Sequence, residues 1–198
     1  MLAMTETWLH GNNDDAVVKG TLCPTGYDFI HTPRLHTNGG GVGLLFKTRL
    51  KATSILCDSY TTFELMDVRV RGRWQLRVLI VYRPPESTYS LFYEEFSRLL
   101  ENVLAETPGH LMLIGDFNFH MDDPLDRYAL RFSHTLEAFD LKQHVRGKTH
   151  KDGHTLDLVI TKSSDESLIK ELCVRDPVIS DHCAIHCNLW MQNPEFTN

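Results

Sequence analysis

The chain has 198 residues, of which 42% are hydrophobic and 23% are charged, and its formal net charge is −6. This length and composition predict one globular domain and exclude a fibrous or disordered chain. The acidic balance argues against a protein that holds nucleic acid by bulk positive charge alone. The sequence contains neither an apolar run of about 18 residues nor a basic-then-apolar leader, so we expect an intracellular protein without a membrane segment.

Charge and cysteine placement add two expectations. Residues 31–90 contain nine basic and four acidic residues, so the acidic excess lies elsewhere, as a site for a divalent cation would require. Arg69, Arg71 and Arg73 stand at alternate positions, which predicts that at least half of these basic residues are solvated strand edges. Five cysteines without a C-x-x-C pair predict reduced thiols rather than a disulfide framework.

The first elements in chain order are predicted as strands and loops. The chain begins at the end of a strand, with Glu6 at its boundary with a loop, and the Gly-, Asn- and Pro-rich residues 10–40 are predicted as loops. Alternating apolar patterns then predict strands over 42–46, 53–57, 62–70 and 74–82. Helical periodicity predicts a helix around 91–104 and a second from a cap at Asp126 to about residue 139.

One short stretch organises the chain. The apolar run 111–114 stops at the sequence GDFN (115–118), which predicts a buried strand whose end presents Asp116 and Asn118. Asp116 is able to accept a proton or orient a water molecule, and Asn118 is able to donate a hydrogen bond to an anionic oxygen. An Asx-type turn without chemical function is the alternative for the tetrapeptide alone.

Further polar groups follow or flank other predicted strands. Strands are predicted over 155–161, with Asp157 on the polar face, over 168–174 and over 183–189. The full set at strand ends or adjoining loops is Glu6, Tyr82, Asp116, Asn118, Asp157, Asp181 and His182. These types suit phosphodiester cleavage, because carboxylates hold Mg²⁺ or Mn²⁺ and position water while neutral or cationic donors stabilise the phosphoryl charge.

Five motifs in order carry a resemblance to a known family. They are ETWL (6–9), YRPP (82–85), GDFN (115–118), HTLDLVI (154–160) and SDH (180–182). The set resembles the endonuclease/exonuclease/phosphatase superfamily. Within it, the residues of the motifs resemble those of the apurinic-type endonuclease domain of non-LTR (LINE-type) retrotransposons. The resemblance implies a DNase I-like α/β fold: a four-layer sandwich of two packed mixed sheets flanked by helices, with the site at one end.

The resemblance also implies roles for individual residues. Glu6 would be the principal Mg²⁺ ligand, with Mn²⁺ as a possible substitute, and Asp181 a further direct or water-mediated ligand. Asp116 would orient or deprotonate the attacking water, and Asn118 would fix Asp116 and contact the phosphate.

Five further residues would complete this site. Tyr82 would donate to the phosphate, and His182, held by Asp157, would contact a nonbridging oxygen. Thr149 and His154 flank the site in related domains and are expected to contact DNA.

The chain departs from the family pattern at its start. Its first residues correspond to the strand that ends in the glutamate, so we expect it to lack the family's first strand, that strand's asparagine and the following helix. We therefore expect an N-terminally truncated endonuclease/exonuclease/phosphatase domain over 1–190 and a tail or linker over 191–198, normally followed by a reverse transcriptase. The sequence does not predict the oligomeric state.

Three functions remain open from the sequence. The first is a metal-dependent DNA endonuclease that nicks target DNA for retrotransposition, which implies nuclear access if it acts on genomic DNA. The second is a phosphatase or exonuclease of the same superfamily. The third is a catalytically inactive remnant that acts at most as a nucleic-acid-binding or interaction domain.

Overall fold

The computed structural model describes residues 1–13, 15–34, 39–72, 74–177 and 180–191. The strands in these residues are β1 (Leu2–Thr5), β2 (Tyr27–Thr32), β3 (Val42–Lys47), β4 (Ala52–Ile55), β5 (Glu64–Arg71), β6 (Gln75–Tyr82), β7 (His110–Asp116), β8 (Leu141–Gln143), β9 (Asp157–Lys162), β10 (Ile169–Arg175) and β11 (Ala184–Leu189). The α-helices are α1 (Asp15–Leu22), α2 (Tyr89–Glu106) and α3 (Arg127–Ala138). None of these helices is both long and apolar enough to cross a membrane.

A six-stranded sheet forms the centre of the fold. Its strand order is β4-β5-β6-β7-β9-β8, and it is mixed because β6 and β7 run parallel while the other neighbours run antiparallel. The middle strands β6 and β7 are nearly continuous apolar runs, as expected for strands that are covered on both faces. The predicted organising strand therefore lies in the interior of this sheet.

Helices cover one face of the six-stranded sheet. α2 presents Phe92, Phe96 and Leu100 at helical spacing, and these side chains are fully buried. They join apolar side chains of α3 and of the sheet in what we call the helix-side core. The predicted cap of α3 is confirmed, since the Asp126 carboxylate accepts hydrogen bonds from the backbone amides of Tyr128 and Ala129.

The opposite face of the sheet packs on a second β layer. In the described residues this layer consists of a three-stranded ladder, β1-β3-β2, and a separate two-stranded ladder, β10-β11. Between them and the six-stranded sheet lies the inter-sheet core, formed mainly by Val, Leu and Ile side chains. Residues of β1 and β11 both line a cleft of about 650 Å³. The predicted architecture of two packed sheets with flanking helices is confirmed.

The prediction of loops throughout residues 10–40 was wrong. The segment contains α1 and β2, and β2 pairs antiparallel with β3 along its whole length. Its Gly, Asn and Pro residues mark only the ends of these elements, and tertiary pairing decides the rest. The buried Asp15 carboxylate accepts the backbone amides of His10 and Gly11 at 3.1 and 2.6 Å, which holds the start of α1.

The predicted arginine edge is only partly correct. Arg71 is exposed and Arg69 is half-buried, while Arg73 lies outside the described residues. Arg77 instead is buried in an ion pair, with its Nη2 atom 2.6 Å from the Asp67 carboxylate. Arg83 is also fully buried, because it lies where β6 leaves the sheet beneath α2. Within the predicted tail, residues 192–198 are outside the described part of the chain.

Candidate active site

Three site residues share one row across neighbouring strands. Tyr82 of β6 is paired with Asp116 of β7, and Asp116 is paired with Asp157 of β9. Laterally paired residues project from the same face of a sheet. The row therefore points toward the second β layer, at the edge of the sheet where β6 and β7 both end. Sequence positions 82, 116 and 157 become neighbours only through this register.

A glycine allows β7 to end in this position. Gly115 has φ of +135°, and a Cβ atom there would lie 2.0 Å from the carbonyl oxygen of Val81 on β6. Any other residue would separate the two strands next to Asp116. Asn118 follows at φ of +50°, a left-handed conformation that asparagine tolerates better than most residues. The GDFN motif thus combines a close strand contact with a sharp change of chain direction.

Asn118 holds the Asp116 carboxylate at both oxygens. Its backbone amide donates to Oδ1 at 3.0 Å, and its side-chain Nδ2 donates to Oδ2 at 2.9 Å. Nδ2 also donates to the carbonyl oxygen of Arg83 at 2.8 Å. An amide nitrogen has two hydrogens, so both are already used within the protein. The geometry therefore supports the predicted fixing of Asp116, whereas Nδ2 retains no hydrogen for the predicted phosphate contact.

Asp116 is set up to exchange a proton near neutral pH. It is 2% exposed, and burial together with the charge of nearby Asp157 raises the pKa of Asp116 to about 7. Loss of water disfavours the charged carboxylate, and a second carboxylate adds to that cost. A carboxyl group with such a pKa is suited to accept a proton from water.

His182 forms an ion pair with Asp157. Its Nδ1 atom lies 2.8 Å from Asp157 Oδ2, and this hydrogen bond raises the pKa of His182 to about 9 although burial acts in the opposite direction. The imidazole is therefore protonated at neutral pH, and its Nε2–H is available as a donor. The predicted orientation of His182 by Asp157 is present in the structure.

Thr149 forms hydrogen bonds with the backbone on both sides of this pair. Its hydroxyl oxygen accepts the backbone amides of Leu156 and Asp157 at 2.9 and 3.0 Å, and its carbonyl oxygen accepts the amide of Cys183 at 2.7 Å. Thr149 is 0% exposed. The predicted DNA contact of Thr149 is corrected, because a side chain without exposed surface has no access to a ligand in this structure. It instead connects the Asp157 strand to the His182 segment.

The predicted second DNA contact, His154, lies at the surface. Its Nδ1 atom is 3.2 Å from Asp122 Oδ2, and its ring stacks on that of His120 at 3.9 Å. Asp122 is fixed in turn, because it accepts the backbone amide of Thr155 at 2.6 Å. The sequence reasoning missed His120 and Asp122, although the signal was present as two histidines and an aspartate close to the GDFN and HTLDLVI motifs.

Glu6 and Tyr82 meet at the other end of the row. The Tyr82 hydroxyl donates to the Glu6 carboxylate, which also accepts from Trp8 Nε1 at 3.4 Å. Burial and this hydrogen bond raise the pKa of Tyr82. Arg34 was missed by sequence reasoning: it forms an ion pair with Glu64, the strand partner of Tyr82, and its guanidinium carbon lies 5.3 Å from the Tyr82 ring centre.

Two groups of potential metal ligands occur in the described residues. One consists of Asp116, Asp157 and His182, and the other of His150, Asp181 and His182. The exposed Asp181 carboxylate lies 3.2 Å from Lys151 Nζ, whose hydrogen bond lowers the pKa of Asp181. Glu6, the predicted principal ligand, belongs to neither group.

The site therefore has oxygen donors and an excess of negative charge. Glu6, Asp116 and Asp157 face one protonated histidine, so a hard divalent cation fits the donor set and its charge.

Comparison with known proteins shows which family the chain belongs to. The sequence profile of the Endonuclease/Exonuclease/phosphatase family matches residues 1–182. The chain belongs to this family. The resemblance predicted from the five motifs is thereby confirmed, including its likeness to a retrotransposon domain. Members of this family are metal-dependent hydrolytic nucleases and phosphatases. Membership assigns the chain to this general class of hydrolases.

Solved structures of this family share the fold. The endonuclease domain of TRAS1, a telomere-specific non-LTR retrotransposon, has a TM-score of 0.71 and 16% identity over 85% of this chain and 82% of its own. The 3′ phosphatase NExo from Neisseria, bound to a product DNA hairpin, has a TM-score of 0.71 and 15% identity over 96% and 88%. The AP endonuclease LMAP from Leishmania major has a TM-score of 0.69 and 17% identity over 98% and 78%. No curated protein matches this chain in sequence.

Proposed function

We propose that this chain is a metal-dependent DNA endonuclease that nicks target DNA for retrotransposition. The observation that supports this most directly is the cluster of Asp116, Asp157 and His182, whose carboxylate and imidazole atoms lie within 4.8 Å of one another at the end of the central strands. The likeness to the TRAS1 endonuclease domain favours the retrotransposon function within the family. In this proposal DNA is the partner, and a reverse transcriptase uses the 3′-hydroxyl end of the nick as its primer.

The proposed reaction is in-line attack of water on a phosphodiester. Asp116 accepts the proton of the attacking water, and Asn118 keeps both carboxylate oxygens in a fixed orientation. Protonated His182 donates from Nε2 to a nonbridging phosphoryl oxygen, where negative charge increases in the transition state. Asp157 keeps His182 protonated and correctly oriented.

Two further residues contribute to phosphate binding and cation binding. Tyr82 donates to the phosphoryl group once its hydroxyl leaves the Glu6 carboxylate, which accepts it in the structure. Glu6 would hold Mg²⁺, with Asp181 as a direct or water-mediated ligand. When bound, the ion supplies Lewis-acid polarisation of a phosphoryl oxygen.

Nicking of supercoiled plasmid by the purified chain tests the proposal. We expect nicking with Mg²⁺ or Mn²⁺ that EDTA abolishes, and nicks that a DNA polymerase extends because they end in a 3′-hydroxyl. Asp116→Asn should lower the rate about 10²- to 10⁴-fold, the range for loss of a general base. His182→Ala should also abolish most activity, whereas exposed His134 on α3 provides a control, so His134→Ala should leave the rate unchanged.

Other substrates distinguish the alternatives. Release of phosphate from a 3′-phosphorylated oligonucleotide with no plasmid nicking would assign the chain to the phosphatases, an alternative favoured by the equal TM-score of the Neisseria 3′ phosphatase. Stepwise shortening of a duplex with a recessed 3′ end would indicate an exonuclease. A cooperative melt with salt-sensitive DNA binding and no cleavage would identify an inactive binding domain.

A further inference from the structure

The Arg83 side chain is a fully buried cation. Arg83 follows Tyr82 directly and is 0% exposed. Its guanidinium donates from Nη1 to the carbonyl oxygens of Phe117 and Asn118, at 3.3 and 3.2 Å, and from Nη2 to that of Ser87 at 3.1 Å. These three partners are neutral backbone carbonyl groups. None of them supplies a negative charge to balance the buried guanidinium.

Aromatic rings surround the same guanidinium. Its central carbon lies 4.5 Å from the ring centre of Tyr89, 4.6 Å from Phe119 and 5.4 Å from Phe92. Such ring faces attract a cation, although burial still lowers the pKa of Arg83. Arginine nevertheless remains charged in proteins. A position that only filled space between helices and sheet would be better served by an apolar side chain, since burying a charge is costly.

The Arg83 backbone holds the same loop from a second direction. Its amide donates to the carbonyl oxygen of Asp116 at 2.9 Å, and its carbonyl oxygen accepts from Asn118 Nδ2 at 2.8 Å. Every one of residues 116 to 118 therefore forms a hydrogen bond with Arg83. This loop includes Asn118 in the left-handed conformation, and its shape determines where the Asp116 carboxylate lies.

We propose that Arg83 is a positioning residue for Asp116 and acts through Asn118. The guanidinium fixes the carbonyl oxygens of Phe117 and Asn118, and this keeps the Asn118 amide and side chain on the two oxygens of Asp116. Only a planar group with several fixed donors reaches carbonyls on both sides, so lysine is not an equivalent replacement. This inference rests on the proposed function, in which Asp116 is the general base.

Kinetics of Arg83→Met and Arg83→Lys test the proposal. Both variants should lower kcat for plasmid nicking about 10²-fold with KM changed less than about threefold, because small misplacement of a catalytic group has this effect. Exposed Arg131 is the matched control, since its guanidinium carbon also lies on an aromatic ring, 4.2 Å from the centre of Tyr93. Arg131→Met should leave kcat and the melting temperature unchanged. A kcat of Arg83→Met equal to the wild type would overturn the proposal.

A double variant separates positioning from general support of the fold. If Arg83 acts through Asn118, Arg83→Met combined with Asn118→Ala should be no slower than the slower single variant. Losses that multiply would overturn the proposal. The comparison needs only folded single and double variants, and circular-dichroism melts establish that condition for each.

Hydrogen exchange keeps the test independent of the proposed function. In the wild type the Asn118 amide is held by Asp116. Arg83→Lys and Arg83→Met should speed its exchange at least tenfold, while the amide of Ile80 in the middle of β6 should be unaffected. Equal Asn118 exchange in wild type and both variants would overturn the role of Arg83 even if the wild type cleaves no substrate. If the wild type cleaves no substrate but both variants still exchange the Asn118 amide faster than the wild type, only the endonuclease function is rejected.

Discussion

The two faces of the six-stranded sheet are packed differently. On the helix side, Phe92, Phe96, Phe117 and Phe132 are each 0% exposed and contact one another as stacked, tilted or edge-on rings. On the other side, two separate ladders cover the sheet, and a cleft of about 650 Å³ extends to Asp157 and His182. The helix side is closed, whereas the other side combines the buried inter-sheet core with this cleft and is called the open side below.

The site lies at the border between these two regions. Asp116 points toward the inter-sheet side, while the adjacent Phe117 is part of the helix-side core. Arg83 and Phe117 anchor the loop in the closed core, whereas Tyr82 and Asp157 face the open side. The helix-side core therefore anchors the proposed catalytic loop, and the cleft on the open side gives access to it. The predictions below test this division.

Truncation of the fully buried Phe96 on the helix side should have the largest effect, and truncation of the half-buried Ile185 on the cleft side a much smaller one. Phe96→Ala should lower the free energy of unfolding by about 4 kcal/mol, because it removes a large ring from a close-packed core. Ile185→Ala on β11 should lower it by only about 1 kcal/mol, since this half-buried side chain lines the cleft. Urea denaturation measures both. Equal losses would show that the two sides are packed equally well.

Replacing the buried Glu95 carboxylate on the helix side should have the next largest effect on the free energy of unfolding. Burial by itself would raise the pKa of Glu95, but hydrogen bonds from Thr62 and Thr61 hold this pKa below its usual value. Glu95→Gln should therefore cost about 2 kcal/mol at pH 7.

The pH dependence of this loss has a definite sign. Because the folded-state pKa is lowered, the stability that Glu95 contributes is present above its unfolded pKa of about 4.5 and disappears as the pH falls through the folded pKa. The difference between wild type and Glu95→Gln should thus shrink in acid-dependent urea denaturation. Glu94→Gln is the control, because Glu94 is the exposed neighbour on α2. A difference that grows below pH 4.5 would contradict the assignment.

On the open side, the Asp157–His182 pair gives a measurable pKa shift. Asp157→Asn should lower the pKa of His182 from about 9 toward 6.5, by more than about one unit, because the charged hydrogen-bond partner is lost. Proton NMR of the imidazole in the metal-free chain measures this change.

The same pair also affects stability in a predictable pH range. A raised folded-state pKa means that the contribution of His182 is complete below 6.5 and is lost as the pH rises through about 9. Wild type and Asp157→Asn should therefore differ most in unfolding free energy below pH 6.5. A difference confined to pH values above 9 would show that another group is responsible.

The smallest effect should come from Ala3→Ile, which is compared with the same substitution on the other side of the sheet. Ala3→Ile on half-buried β1 should add about 0.5–1 kcal/mol of stability by filling part of the cleft. Ala129→Ile on α3 should instead destabilise by about 1–3 kcal/mol, because Ala129 is 3% exposed in the helix-side core. Thermal melts with matched buffers compare them. A gain at both positions would mean that the helix side also contains free space.

Much of the fold was readable from local sequence. Apolar runs and period-2 alternation predicted strands close to β3, β5, β6, β7, β9, β10 and β11, and helical periodicity predicted α2 and α3 with the Asp126 cap. These signals are strong because each element must bury one or both faces. The elements within residues 10–40 were not predicted, because α1 has few buried side chains and β2 is defined by its pairing with β3.

The sequence by itself determined which residue types stand at the ends of strands, and its five motifs determined the family. Only the tertiary structure decided how these residues meet: the register of β6, β7 and β9 brings Tyr82, Asp116 and Asp157 into one row. It also decided that Thr149 is buried next to Asp157 and that Arg83 is a buried cation bound to the proposed catalytic loop. Pairing register and burial depend on contacts between residues far apart in the chain, and local residue patterns do not contain that information.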